Sequence, residues 1–360
     1  MRVAVVGANG FVGSRLVEQW HLEQHAEVVP IVRRPEAAAS ALRFGLDCRV
    51  ADALDEDALA DALSGCDAVV HAGAGPRHFV TQSPAPIVRA AARAGAGTIV
   101  YLSSMAVHGW RAEPRTDEST PPPRRHPIAY NRWKVRAEAV LRSACRKTGT
   151  RFVILRPGIV HGPRSRWITG FARAVVERRA YVVAGGRGVC NSIYVDNLVH
   201  AIGLAVERED ASGEAFLVAD DEAVTWRMLY EPVCHALGRS WDVVAELAPR
   251  RPQPTWDDRL LSLGDDPAAR AVLDRIPRTL RRSIRRLAMP PSEDESPDAL
   301  PPLALETSIL QTCTYRFPTA KARRALGYAP PVAFDEACRR TVAWLGFAGF
   351  PVAVRSVPDR

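Results

Sequence analysis

The feature that most constrains this chain is a regular alternation of short apolar runs and amphipathic segments through roughly its first 160 residues. Runs this short and this rich in Val, Ile and Ala are typical of strands buried on both faces of a sheet. Strict alternation of strand and helix predicts a doubly wound parallel sheet with right-handed crossovers, which is an α/β fold. The predicted strands lie at 2–6, 28–32, 48–51, 67–71, 98–102 and 152–156.

A glycine-rich turn follows the first predicted strand and precedes a predicted helix at about 14–24. Its spacing is G-x-x-G-x-x-G, in which Gly7 suits a tight turn, Gly10 a close approach to a pyrophosphate and Gly13 close helix–strand packing. Free N–H groups and the helix dipole at a helix N-terminus favour anions. The turn therefore predicts a Rossmann-type dinucleotide site, with cofactor-binding residues Gly7, Asn9, Gly10, Phe11, Val12 and Gly13.

Two arginines, Arg33 and Arg34, follow the second predicted strand and precede a predicted helix at about 35–44. An acid at this place would bind the ribose 2′-hydroxyl of NAD, whereas arginine accommodates a 2′-phosphate. The pair therefore favours NADP(H) as the cofactor, with NAD(H) as the open alternative. Asp52 directly follows the third predicted strand, where it could reach the adenine edge.

Ligands of an open parallel sheet bind beyond the carboxyl ends of its strands. After the fourth predicted strand, the small residues Ala72, Gly73 and Ala74 would let the backbone approach the cofactor. Ser103 and Ser104 end the fifth predicted strand, and a hydroxyl group there can donate a hydrogen bond to a substrate oxygen. These residues extend the predicted site from the glycine turn toward a substrate.

Tyr130 and Lys134 lie four residues apart in a predicted helix, so their side chains share one face of it. A phenol with an ordinary pKa near ~10 is a poor acid or base at neutral pH. A neighbouring ammonium group stabilises the phenolate, so we expect Lys134 to lower the pKa of Tyr130. The glycine turn, the two serines and this pair occur in that order along the chain. The Tyr130–Lys134 pair is therefore the candidate centre of the chemistry.

The pattern loosens after Pro157. We expect residues 1–163 to be mainly a dinucleotide-binding domain and 164–360 mainly a smaller α/β substrate-binding region, with about 190–205 returning to the first. A helix within 192–205 could be capped by Asp196. The stretch 270–289 carries seven Arg, which favours a solvated basic face over a helix at a membrane surface or an anionic substrate. The Pro-rich, acidic stretch 290–302 predicts a loop or lid.

Composition excludes several classes of protein. A chain that is 47% hydrophobic and 24% charged, without an apolar run near ~20 residues, predicts a soluble protein with no transmembrane segment, and we expect it in the cytoplasm. Seven scattered Cys and nine dispersed His favour neither a disulfide scaffold nor a metal site. The net charge of +8 favours an anionic small-molecule substrate, and no nucleic-acid-binding signature accompanies it.

Several further segments complete a family pattern. Together with the glycine turn, they resemble the extended short-chain dehydrogenases/reductases, also called NAD-dependent epimerases/dehydratases. The resemblance covers nearly all of the chain except about 245–312. The segments are Ala51-Asp52, Asp67–Ala72, Tyr101–Gly109, Glu118–Pro122, Tyr130 with Lys134, Leu155–Pro163, Tyr194–Asn197 and Lys321–Pro330.

The resemblance implies catalytic roles for three of the residues. Ser104 would bind the reacting substrate oxygen, Tyr130 would move the proton, and Lys134 would hold the nicotinamide ribose and tune Tyr130. It adds Ser103, Tyr130, Lys134, Pro157, Gly158 and Val160 to the cofactor-binding set. It also implies dimerisation through the Tyr130 helix, where Ala137, Val140, Leu141 and Ala144 form an apolar face that could equally be core.

The chain departs from the family pattern in ways that bear on the reaction. The Asn expected within 80–84 is missing, the loop after His71 is short, and His108 and His161 replace the usual Tyr. The residues after Ser104 supply no acid, so dehydration is disfavoured.

We therefore expect an NAD(P)-dependent oxidoreductase or epimerase that moves a hydride at a secondary alcohol or ketone carbon, most simply of a nucleotide-activated sugar. One alternative is an NADPH-dependent keto-reductase or hydroxysteroid-type dehydrogenase acting on a non-sugar molecule. Another is a non-catalytic NADP(H)-binding sensor.

Overall fold

The structure, a computed structural model of the 360-residue chain, describes residues 1–109, 115–123, 126–249 and 303–352. The predicted basic stretch 270–289 and the predicted lid 290–302 lie outside the described residues. Among the described residues, no helix combines the length and the apolar composition needed to cross a bilayer.

A seven-stranded parallel sheet forms the centre of the molecule and confirms the predicted fold class. In chain order its strands are β1 (Arg2–Val6), β2 (Glu27–Val32), β3 (Arg49–Val50), β4 (Ala68–His71), β5 (Thr98–Leu102), β6 (Arg151–Pro157) and, from later in the chain, β10 (Ala215–Val218). Across the sheet they run β3-β2-β1-β4-β5-β6-β10. The order reverses between β1 and β4, and that crevice is where doubly wound sheets bind ligands.

Helices cover both faces of this sheet. They are α1 (Phe11–Leu22), α2 (Ala39–Leu42), α3 (Glu56–Ala62), α4 (Arg77–Gln82), α5 (Pro84–Ala94), α6 (Ala129–Thr148) and α8 (Val195–Glu207). Alternate residues of β1 enter opposite cores, with Val3 and Val5 in the cluster that contains α1 and α8, and Ala4 and Val6 in the cluster that contains α3, α5 and α6. Burial on both faces explains why the strands read as continuous apolar runs.

The later part of the chain forms two small parallel sheets and a third apolar cluster. One sheet pairs β7 (Ile159–His161) with β9 (Ser192–Tyr194), and the other pairs β8 (Tyr181–Val183) with β11 (Ala245–Leu247). The accompanying helices are α7 (Arg166–Val176), α9 (Trp226–Ala236), α10 (Leu305–Gln311), α11 (Ala320–Leu326) and α12 (Phe334–Phe347). Two later elements join the main sheet: helix α8 packs into its core, and β10 pairs with β6 at its edge.

Two local expectations are wrong. The segment predicted as a helix over 35–44 is a 3-10 turn, Pro35–Ala38, followed by the single helical turn of α2. Asp196 does not cap α8, because that helix begins at Val195 and its N-cap is Tyr194. The Asp196 carboxylate instead accepts hydrogen bonds from Arg15 on α1, with Nε–Oδ1 at 2.6 Å and Nη2–Oδ2 at 2.9 Å. This ion pair fastens α8 to the helix after the glycine turn.

Candidate active site

The glycine turn between β1 and α1 is packed too closely for side chains. A Cβ atom added at Gly13 would lie 2.2 Å from the Gly7 carbonyl oxygen, and one at Gly7, which has φ of 88°, would lie 2.7 Å from Gly73 Cα. The first-turn N–H groups of α1 have no intrahelical acceptors, and no acidic residue lies in that turn. The turn therefore fits the diphosphate of a dinucleotide, which these N–H groups would bind.

The loop after β4 meets the glycine turn across the crevice, and His71 fixes its backbone. Gly73 donates its N–H to His71 Nδ1 at 3.2 Å, so the proton of the neutral ring lies on Nε2, which contacts Ser83 Oγ at 3.0 Å. Burial lowers the pKa of His71 to about 3, and the positive charge of Lys134 lowers it further. His71 is thus a neutral, fully enclosed support for the loop that carries the predicted residues Ala72, Gly73 and Ala74.

The residues predicted to bind the adenosine end of the dinucleotide follow β2 and β3, which lie on the opposite side of β1 from β4. Arg33 and Arg34 are exposed directly after β2, and Asp52 follows β3 with its carboxylate accepting the Leu54 N–H at 3.0 Å. The structure thus places the arginines and Asp52 at neighbouring strand ends, and their contacts with a nucleotide stay predictions.

The two predicted serines take different roles at the end of β5. Ser103 is buried and donates its hydroxyl proton to Glu138 Oε1 at 2.6 Å. Ser104 is partly exposed, and its Oγ accepts the N–H of Ala106 at 3.1 Å, which caps the 3-10 turn Met105–His108. Ser104 Oγ thus acts as an acceptor in this turn, and its own hydroxyl proton remains available for donation.

Helix α6 carries Tyr130 and Lys134 on one face, as predicted. The Lys134 ammonium lies 5.9 Å from the centroid of the Tyr130 ring and donates a 2.7 Å hydrogen bond to the Leu102 carbonyl oxygen. Lys134 is 3% exposed, and burial lowers its pKa to about 8 although the charge of Glu138 raises it. The lysine thus ties the helix to the end of β5 next to the serines.

The expected pKa of Tyr130 is wrong in direction. Burial raises the pKa of the Tyr130 phenol to about 12, because the surrounding protein solvates a phenolate poorly. Two residues of the substrate-binding region act on it in opposite senses, since the positive charge of Arg166 lowers the pKa and the negative charge of Glu306 raises it. Meanwhile, Lys134 directs its ammonium group at the Leu102 carbonyl. Tyr130 is consequently a protonated phenol at neutral pH.

A buried ion pair that sequence reasoning missed lies behind the serines and Lys134. Arg156, at the end of β6, binds Glu138 of α6 through two parallel hydrogen bonds, Nε–Oε1 at 3.0 Å and Nη2–Oε2 at 2.7 Å. Both side chains are about 5% exposed. Arg156 Nη1 also contacts His108 Nε2 at 3.0 Å, and burial followed by the charge of Arg156 lowers the pKa of His108 to about 4. The sequence signal that could have indicated a buried charge here is Arg156 itself, which directly follows the apolar run 152–155.

The remaining predicted cofactor residues lie where β6 passes into β7. A Cβ added at Gly158 would lie 1.9 Å from the Asn191 carbonyl oxygen and 3.4 Å from Met105 Sδ, one residue from Ser104. Val160 and Phe11, the first residue of α1, pack against the same apolar cluster. The segment Pro157–Val160 therefore joins the serine end of the site to the glycine turn.

The apolar face predicted on α6 is largely core. Ala137, Leu141 and Ala144 belong to the cluster between α6 and the sheet, and Val140 is partly buried. The predicted homodimer through this helix thus loses the support of these residues and stays a prediction. Among the described residues, no group of three or more His, Cys, Asp or Glu side chains has the arrangement of a metal site.

Replacing Glu138 with Ala should strongly destabilise the protein. The variant leaves the buried Arg156 guanidinium without its carboxylate, and breaking a buried pair in this way costs about 3–5 kcal/mol. Glu56→Ala, which removes the partly exposed partner of Arg89, should cost about 1 kcal/mol or less. Urea unfolding of both variants measures the difference. Equal, small losses would contradict the role given to the buried pair.

Removing His71 should reduce the sensitivity of the fold to acid. The pKa of His71 is about 3 in the folded protein, below the ordinary value of 6.5, so the unfolded chain binds the extra proton between these values. Stability associated with neutral His71 is therefore complete above pH 6.5 and is lost as pH falls toward 3.

The comparison is between wild type, His71→Gln and the control His78→Gln, which alters an exposed histidine. Unfolding free energies at a series of pH values should show that the gap between wild type and His71→Gln narrows on acidification. A gap that stays constant with pH would exclude His71 as a source of the acid sensitivity.

Comparisons with known proteins are consistent with this geometry. Among curated proteins, the 3-diazoavenalumate denitrifying reductase of a Streptomyces species is 32% identical over 240 residues, which cover 62% of this chain and 77% of the relative. The 3β-hydroxysteroid-dehydrogenase/decarboxylase isoform 1 of Arabidopsis thaliana is 25% identical over 366 aligned positions, covering 94% of this chain and 78% of that protein.

Solved structures share the architecture. The dTDP-glucose 4,6-dehydratase DesIV from Streptomyces venezuelae, determined with NAD bound, has a TM-score of 0.71 at 21% identity and covers 96% of this chain and 97% of its own. At this identity the likeness shows the fold alone. The model of the NAD dependent epimerase/dehydratase family matches residues 3–219. That match spans more than half of the 360 residues, so the chain belongs to the NAD dependent epimerase/dehydratase family of extended short-chain dehydrogenases/reductases.

Proposed function

We propose that this protein is an NADP(H)-dependent oxidoreductase that interconverts a secondary alcohol and a ketone on a small-molecule substrate. The observation that carries the proposal is the face of α6 on which a protonated Tyr130 lies next to a buried Lys134 ammonium. A phenol that holds its proton at neutral pH can donate it to a ketone oxygen. The reductive direction is favoured by Arg33, because NADP(H) usually serves reduction.

The chain's own residues divide the work of the reaction. A nicotinamide cofactor, held by the glycine turn and the loop after β4, would supply or accept the hydride. Ser104 donates its free hydroxyl proton as a hydrogen bond to the substrate oxygen, and Tyr130 delivers a proton to that oxygen. Lys134, fixed by the Leu102 carbonyl, opposes the negative charge that develops on the phenol oxygen. Burial of Lys134 and of the surrounding strands limits the access of water to this point.

The choice of NADP(H) rests on the exposed arginines after β2. No acidic residue precedes or follows Arg33 and Arg34 in the segment Val32–Pro35, so the place that would bind a ribose 2′-hydroxyl carries two positive charges instead. A guanidinium group binds a phosphate through paired charge-assisted hydrogen bonds. NAD(H) is the alternative, and it would suit a redox-neutral epimerase that retains its cofactor.

Two substrate classes fit the site. The first is a nucleotide-activated sugar, whose diphosphate suits the net positive charge and the exposed Arg166 whose charge acts on Tyr130. The second is a hydrophobic alcohol or ketone of the hydroxysteroid kind, which the name of the Arabidopsis thaliana relative favours. Dehydration is disfavoured in either class, because Ser104 is followed by Met105 and Ala106 rather than by an acid.

Tyr130→Phe should abolish turnover without weakening cofactor binding. The phenylalanine keeps the ring but removes the proton donor, and such a group contributes a factor of ~10²–10⁴ to the rate. The assay follows NADPH oxidation with a panel of nucleotide-ketosugars, steroid ketones and aryl ketones, alongside the control Tyr181→Phe. Turnover by Tyr130→Phe at the wild-type rate would refute the assignment. A wild type that binds NADPH but turns over no member of the panel would favour the sensor alternative.

Arg33→Gln should weaken NADPH binding selectively. Loss of one charge-assisted contact with the 2′-phosphate should raise the Kd of NADPH about tenfold and leave that of NADH unchanged. Arg43→Gln is the matched control. Arg43 is also an exposed arginine, but its guanidinium forms an ion pair with Glu18 and lies over the Phe44 ring. Fluorescence titration gives both constants. Purified protein that retains NAD tightly, with no gain in thermal stability from NADPH, would instead favour an epimerase.

A further inference from the structure

Arg164, in the turn between β7 and α7, lies beside the first turn of α1. Its Nη1 donates a 2.9 Å hydrogen bond to Ser14 Oγ, across a separation of 150 residues in the sequence. The Ser14 hydroxyl in turn donates to the Phe11 carbonyl oxygen at 3.3 Å. An arginine from the start of the substrate-binding region thereby reaches the end of the helix that would bind a cofactor diphosphate.

The backbone at Arg164 is in a conformation that favours glycine. Ser165 donates its N–H to the Gly162 carbonyl oxygen at 3.0 Å, which closes a four-residue turn with Pro163 and Arg164 at its centre. Arg164 has φ of 72°, at the position of such turns that glycine or asparagine usually occupies when φ is positive. Any residue with a Cβ is strained there. The turn therefore holds an exposed arginine in a backbone conformation that costs free energy.

The charge of Arg164 is also at the unfavourable end of a helix. The N-terminus of α1 carries the positive end of the helix dipole, and no acidic residue in its first turn neutralises it. Neighbouring Arg15 is balanced by Asp196 and Glu18. Arg164, by contrast, has no acidic partner within ion-pair distance in the part of the chain that the structure describes. An anion bound between the Arg164 guanidinium and the positive end of the α1 dipole would stabilise both.

The turn that presents Arg164 is fixed on both sides. The Ser165 side chain is buried and donates to the Val160 carbonyl oxygen at 3.0 Å. A Cβ added at Gly162 would lie 2.9 Å from both Tyr194 and Val195. Val160, Tyr194 and Val195 form one apolar cluster with Phe11, the first residue of α1. The arginine is therefore held over the glycine turn by rigid packing, and only its side chain needs to move.

We infer that Arg164 is a cofactor-binding residue whose guanidinium group leaves Ser14 and binds the diphosphate held at Gly10–Gly13. This inference rests on the proposed dinucleotide cofactor and adds to it a cationic contact from the substrate-binding region. The contact concerns the diphosphate, which NADPH and NADH share, and is therefore independent of the 2′-phosphate contact assigned to Arg33.

The test is cofactor binding by the full chain, measured as the fluorescence-titrated Kd of NADPH and NADH at two or more salt concentrations. Arg164→Gln should raise the Kd of both dinucleotides about 5- to 20-fold, as expected for a lost charge-assisted hydrogen bond, and should flatten the salt dependence. Arg164→Lys should recover part of the affinity. Arg178→Gln is the matched control, because Arg178 is also exposed with a positive φ, of 57°. It should bind like wild type.

Arg164→Gly separates binding from folding. Glycine relieves the strain at φ of 72°, so this variant should melt about 1–3 °C above wild type while it binds NADPH as weakly as Arg164→Gln. A purely structural arginine would lower stability and affinity together, and that result would overturn the inference. Unchanged affinity in Arg164→Gln would also overturn it and leave the proposed function intact. A wild type that binds neither dinucleotide would overturn both.

Discussion

The buried ion pair between Glu138 and Arg156 is the interaction on which the rest of the site depends. It joins the helix that carries Tyr130 and Lys134 to the end of β6, and its Glu138 carboxylate also accepts the hydroxyl proton of Ser103 at the end of β5. Taking two charges out of water is costly unless their hydrogen bonds are satisfied. Here both Glu138 carboxylate oxygens accept hydrogen bonds from the Arg156 guanidinium. These bonds offset the desolvation cost only when α6 and the strands hold this relative position. The pair therefore contributes to the specificity of the arrangement more than to its stability.

Burial, rather than a direct contact between Tyr130 and Lys134, is the main cause of the pKa shifts of both residues. The same desolvation raises the pKa of the phenol to about 12 and lowers that of the ammonium to about 8. The proton sits on Tyr130 at neutral pH. Lys134 remains mostly charged there, because its pKa of about 8 lies above neutral pH, with the nearby charge of Glu138 raising it. If Tyr130 acts as the proposed proton donor, it begins in the donating form, and it would regain its proton from solvent or from a neighbouring group.

The sequence predicted the sheet, and it predicted which residues would lie at the glycine turn and on one face of the Tyr130 helix, because these features depend on local patterns. Strand–helix alternation, the spacing of Gly7, Gly10 and Gly13, and the four-residue interval from Tyr130 to Lys134 are all readable along the chain. The ion pair of Glu138 with Arg156, the bond from Arg164 to Ser14 and the pairing of Asp196 with Arg15 are not, since each joins residues distant in sequence. The pKa of Tyr130 was mispredicted for the same reason, because solvent exclusion is a property of the whole fold.

Long-range contacts also join the predicted dinucleotide-binding domain to the predicted substrate-binding region. Phe11 and Val160 share an apolar cluster, and the turn after β7 delivers Arg164 to the start of α1. Two residues later, Arg166 begins α7, and its charge acts on Tyr130. This short segment thus presents Arg164 beside the first turn of α1 and Arg166 where its charge reaches Tyr130. The glycine turn and the surroundings of Tyr130 are thus contacted by two arginines that lie only two positions apart in the chain.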